Sequence, residues 1–89
     1  MTVGELIRFY REMRGMSQQE LAKAANLPRA KSWSSIARRE SGAVPIKRSE
    51  YRLFASALDI PISEFEKIDP EYAKYRRLGH SELVGNNAD

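Results

Sequence analysis

Eighty-nine residues make one domain and not two, with a core that buries roughly 60% of the unfolded surface. Hydrophobic residues at 42% and charged ones at 30% are ordinary for a folded globular chain and exclude wholesale disorder, and the absence of cysteine excludes disulfides and thiolate metal sites. The net charge of +3 is unevenly placed: residues 28–52 carry seven Lys and Arg against Glu40 and Glu50, while residues 53–89 are net acidic.

The chain has neither an apolar run near the ~18 residues of a membrane span nor the basic, then apolar, start of a secretory leader. A cytoplasmic location without membrane attachment is therefore expected.

The first periodic segment runs from Thr2 to Arg14. Val3, Leu6, Ile7, Tyr10 and Met13 recur at three- and four-residue steps, the stripe of an amphipathic helix. Thr2 and Glu5 have the spacing of a capping box, and Gly15 stops the helix. Ser17-Gln18-Gln19-Glu20 repeats the box and opens a short helix to about Ala25, with Leu21, Ala22 and Ala25 on one face. The small residues Ala22, Ala24 and Ala25 let another helix come close, and Asn26 suits the left-handed position that ends the segment.

The third helix is expected from Ser32 or Trp33 to Arg39, with Ser32 as cap and Gly42 beyond its end. A start at Pro28 is the alternative, since proline suits a first turn. Ser49 is expected to cap a fourth helix burying Tyr51, Phe54, Ala55 and Leu58, and Asp59-Ile60-Pro61 breaks it. Ile62 to Ile68 forms a fifth. Asp69-Pro70-Glu71 supplies a cap, a first-turn proline and an early acid for a sixth, running to Leu78 and closed by Gly79. Residues 85–89 read as a frayed end. No strand alternation of useful length occurs, so the fold is all-α. The division is a domain over 1–68 and a C-terminal extension over 69–89.

Two short helices joined by a tight turn, the second followed by basic residues, have the pattern of a DNA-binding helix-turn-helix. A local basic excess is also what a phosphate backbone attracts, although a solvated surface without a partner gives the same composition. Three segments carry a more specific likeness: Arg14-Gly15-Met16-Ser17-Gln18-Gln19-Glu20-Leu21-Ala22, then Ile36-Ala37-Arg38-Arg39-Glu40-Ser41-Gly42, then Phe54-Ala55-Ser56-Ala57-Leu58-Asp59-Ile60. In this order they resemble the Xre, or lambda-repressor-like, helix-turn-helix proteins of bacteria and phages, over about residues 3–66.

That resemblance implies a compact five-helix DNA-binding domain, here with a short C-terminal extension. It implies that Ser17 caps the second helix and that Ser17 and Gln18 stand where this helix meets the DNA backbone. Ile36 anchors the third helix, and Arg11 pairs internally with Glu40. Trp33, Ser34 and Arg38 then face the major groove, with Arg38 as the leading base reader because its planar fork matches guanine. Ser35, Lys47 and Arg48 are expected at phosphates, as is Arg39, whose stem packs while its head reaches out.

The chain departs from the family between Leu27 and Gly42, where fifteen steps replace about eleven. The extra residues, Pro28-Arg29-Ala30-Lys31, either lengthen the turn or extend the third helix. The choice affects the register of Trp33 and Ser34, but not that of Arg38. Trp33 either packs against the inserted loop and the second helix or meets DNA; Arg29 and Lys31 either reach phosphates or stay solvated.

Tyr72, Tyr75, Leu78 and Leu83 form an apolar set that serves as a cap on the core or as a homodimer contact. His80 stands alone, so no metal site is expected, and no nucleophile motif or phosphate loop marks an enzyme. No cofactor is implied. The expected partner is double-stranded DNA, as a palindromic operator bound by a homodimer, and the roles implied are a phage repressor, a restriction–modification controller or an antitoxin with a toxin partner. The alternative is a protein-interaction module that keeps the fold without reading DNA.

Overall fold

The structure, a computed structural model, describes residues 1–28 and 31–78. Among them the chain forms six α-helices and no strand: α1 (Val3–Met13), α2 (Gln18–Ala25), α3 (Trp33–Ser41), α4 (Arg48–Leu58), α5 (Ser63–Ile68) and α6 (Glu71–Arg77). The expectations for Arg29, Gly79, His80, Leu83 and the frayed end fall outside the described residues.

Local chemistry sets most helix ends. The Thr2 hydroxyl accepts the Glu5 N–H at 3.1 Å while the Glu5 carboxylate accepts the Thr2 N–H at 2.8 Å. Ser17 and Glu20 close the same box at 3.0 and 2.7 Å. Left-handed backbone at Gly15 (φ 68°) turns the chain after α1, and Asn26 (φ 51°) does so after α2, the latter a residue type that tolerates this region. α3 begins at Trp33, so Pro28 and Lys31 belong to the turn before it and do not lengthen the helix.

Two starts differ from expectation. α4 opens at Arg48 and not after Ser49, because Glu50 organises the turn: its N–H donates to the Lys47 carbonyl at 2.9 Å and its carboxylate accepts the Lys47 N–H at 3.3 Å. α5 opens one residue later than expected, at Ser63.

The predicted stripes meet in one core. Ile7 of α1, Leu21 of α2, Leu27, Ile36 of α3, Phe54 and Leu58 of α4, and Phe65 of α5 are fully buried. Met13 is the exception to its stripe and is exposed, because the core does not reach the last turn of α1. That turn is used differently: the Arg14 guanidinium donates to the carbonyls of Leu58 and Asp59 at 2.8 and 3.0 Å, satisfying acceptors left over at the end of α4.

The sixth helix joins the same core. Tyr51 stacks on Phe65 at 4.9 Å between centroids and meets Tyr72 edge-on at 4.8 Å. Tyr72 is 2% exposed and is therefore an interior residue, not a surface one as the expected dimer contact required. Tyr75 is half-buried and stacks on Tyr72, whereas Leu78 is exposed.

Candidate nucleic-acid interface

α3 has two unlike faces. Ser35, Ile36 and Glu40 are buried, and Arg39 lies half-buried between them. On the other side Trp33, Arg38 and Ser41 are exposed, with Ser34 and Ala37 half-buried. At about 100° per residue these five positions form one continuous stripe, so a single duplex could meet all of them.

The inner face is fixed by polar as well as apolar contacts. The Arg11 guanidinium donates to both Glu40 oxygens, at 2.6 and 3.2 Å, and to the Met16 carbonyl at 2.9 Å. The Glu40 carboxylate raises the Arg11 pKa above its ordinary value, against the opposing effect of burial. The Gln18 amide completes the site by donating to Glu40 at 3.1 Å. Three helices thus converge on one buried carboxylate. The ion pair implied by the resemblance is formed, and Gln18, expected at the DNA backbone, is directed to it.

The other expected contacts divide clearly. Ser35 is 6% exposed and donates its hydroxyl to the Ser32 carbonyl at 2.8 Å. Arg39 closes on both Glu50 oxygens at 3.2 Å and donates to the Ser35 carbonyl at 3.1 Å. Arg48 closes on Asp69 at 2.8 and 2.9 Å, where the Tyr51 hydroxyl also donates at 2.8 Å. The Arg48 hydrogen bonds hold the Asp69 carboxyl below the usual range, helped by Tyr51 and the Glu71 N–H and opposed by burial. Burial and the Asp69 contact push the Tyr51 phenol well above its ordinary pKa.

These engaged residues contrast with Arg38 and Lys47, exposed cations whose side chains have no hydrogen-bond or ion-pair partner among the described residues. Ser17 remains exposed at the start of α2, although its hydroxyl already accepts the Glu20 N–H. Trp33 is 56% exposed.

Sequence reasoning missed Gln19. Its Oε1 accepts the backbone N–H of Trp33 at 3.0 Å, so the start of α3 is capped by a side chain from α2. Ser32, the expected cap, makes no such bond; its hydroxyl pairs with that of Ser34 at 2.9 Å. Nothing local to Ser17-Gln18-Gln19-Glu20 distinguishes the second glutamine, because its partner lies fourteen residues away.

Among the described residues no three His, Asp or Glu side chains group as metal ligands, and no helix is long and apolar enough to cross a membrane. No curated protein and no solved structure matches the chain. A family model described as helix-turn-helix matches residues 7–65, well over half the chain, and spans α2, α3 and the helices that hold them. With its capped α2, the ion-paired inner face of α3 and the outward stripe of Trp33 and Arg38, the chain belongs to the Xre, or lambda-repressor-like, helix-turn-helix family of DNA-binding proteins.

Proposed function

We propose that the protein is a sequence-specific transcriptional repressor that lays the outer face of α3 in the major groove and occludes a promoter. The observation carrying this reading is the contrast on α3: Arg38 is exposed and its side chain has no partner among the described residues, while its neighbour Arg39 is closed on Glu50. A cation unpaired among the described residues, on the same outward stripe as an exposed tryptophan, is available to bases. Arg38 reads a guanine edge, and Trp33 and Ser34 read the neighbouring step. Lys47 and Ser17 hold phosphates on either side, supported by the N-terminus of α2. Ser35, Arg39 and Arg48 leave the contact set because their polar groups are buried or closed within the protein.

A homodimer on a palindromic operator is part of the proposal, with half-sites about one helical turn apart. Exposed Leu78 beside half-buried Tyr75 supports a contact at the end of α6; Tyr72 does not contribute. The role places the protein on the nucleoid of a bacterial cell, including one carrying phage.

Random-sequence selection followed by a gel-shift salt series tests the reading. The expected result is enrichment of one inverted-repeat sequence, preferred over scrambled DNA and bound less tightly as salt rises. Equal, weak binding to every duplex overturns it and favours the protein-interaction module.

A further inference from the structure

We infer that Gln19 is a positioning residue for base reading, fixing where Trp33 and Ser34 meet the DNA; this rests on the proposed function. The turn before α3 is longer than the family's usual one, so the start of the helix is not fixed by a short connection. Among the described residues, buried Ser35 donates its hydroxyl to the Ser32 carbonyl, a bond inside the first turn that does not join α3 to another helix. Trp33 is exposed, and the Ser32 side chain bonds to the Ser34 hydroxyl instead of to a backbone N–H. The Gln19 carbonyl oxygen is the acceptor that ties the first N–H of α3 to the neighbouring helix.

Gln19 leads straight into buried Leu21 and Ala22 on α2, whose capping box fixes its own first turn. The side chain therefore carries the position of a well-anchored helix to the least anchored end of α3. The far end of α3 has separate anchors in Ile36, Glu40 and Arg39. Loss of the Gln19 bond should loosen reading by Trp33 and Ser34 and leave reading by Arg38 intact.

The test uses the whole chain as wild type, Gln19→Ala and Gln19→Glu, the last retaining an acceptor. Binding is measured against a panel of single-base-pair changes in the selected sequence, alongside hydrogen exchange of the Trp33 amide in the free protein. Gln19→Ala should lose roughly tenfold of discrimination at the base pairs that Trp33→Ala and Ser34→Ala also affect, keep it at the pair that Arg38→Ala affects, and exchange the Trp33 amide several-fold faster. Gln19→Glu should restore the pattern of preference even if its added charge weakens every complex alike. A uniform loss across the panel in Gln19→Ala, or unchanged Trp33 exchange, overturns the inference. If the wild type prefers no sequence, the proposed function fails by itself, and the exchange measurement still decides whether Gln19 holds the helix.

Discussion

Gly4 of α1 lies against the Arg39 carbonyl of α3 so closely that a Cβ on Gly4 would stand 2.5 Å from that oxygen, and 2.8 Å from the Glu40 carbonyl oxygen. Both obstacles are backbone, which cannot rotate aside. Alanine is ordinarily better than glycine in a helix by about 1 kcal/mol. Here the clash reverses the sign, and Gly4→Ala should destabilise by roughly 1–3 kcal/mol, the usual cost of overpacking. Thermal denaturation checks it, since each kcal/mol lowers Tm by about 4–8 °C in a domain of this size. An unchanged or raised Tm would show that α1 and α3 do not approach this closely.

The pair of Arg11 and Glu40 should respond unequally to single and double replacement. Their side chains are only 11% and 4% exposed, so removing one partner strands a charge in the interior. Arg11→Met alone should cost about 3–5 kcal/mol, moderated by the Gln18 amide that remains on Glu40. Arg11→Met combined with Glu40→Met should recover a large part of that loss, because the desolvated charge is gone. Urea denaturation of the four members of the cycle measures the coupling. Additive losses would mean that the two groups do not depend on each other.

What the sequence made legible was mostly written in local periodicity, although Met13 of the α1 stripe is exposed and neither the Ser32 nor the Ser49 side chain caps its helix. The capping boxes at Thr2 and Ser17, the αL turn at Asn26, and the buried stripes of α2 and α4 all follow from residues within one or two turns of each other. The start of α3 at Trp33 was one of two readings that the sequence left open. Arg38 was fixed in register by Ile36 and Glu40, and both of those are buried. The contacts that escaped are long-range polar ones. Arg39, Arg48 and Arg38 look alike as basic residues, and only the fold brings Glu50 to the first, Asp69 to the second and neither to the third. Tyr72 stayed open between a cap on the core and a dimer contact, because Tyr51, the aromatic partner that settles its burial, comes from another helix.

Asp69 makes stability pH-dependent in a stated direction. Its folded pKa lies below the unfolded value of about 3.9, so the unfolded chain binds the proton first. The contribution of the Arg48–Asp69–Tyr51 contact is complete above that unfolded value and is lost as pH falls through the folded one. Asp69→Asn should therefore be less stable than wild type near neutral pH, and the two should converge as pH drops below about 4. Tyr51→Phe, which removes one donor from the carboxylate, should show a smaller difference with the same acid convergence, superimposed on any loss at all pH values from the missing hydroxyl. Denaturant midpoints from pH 2 to pH 7 check this, and a constant offset between wild type and Asp69→Asn would contradict it.

The three central cations should separate by what each one changes. Arg38→Ala should relax preference at one base pair by about 1–3 kcal/mol with little effect on folding, because its side chain has no internal partner among the described residues. Lys47→Ala should weaken every sequence alike and reduce the salt slope by about 1. Arg39 should do neither. To keep the fold intact, Arg39→Gln is combined with Glu50→Gln, so that no lone charge remains where both side chains are only 12% exposed. That double variant should lose some stability yet keep the wild-type base preference and salt slope, since its lost charges were directed to each other. Filter binding across a salt range separates the outcomes: a slope reduced by about 1 in the double variant would mean that Arg39 leaves Glu50 for a phosphate when DNA is bound.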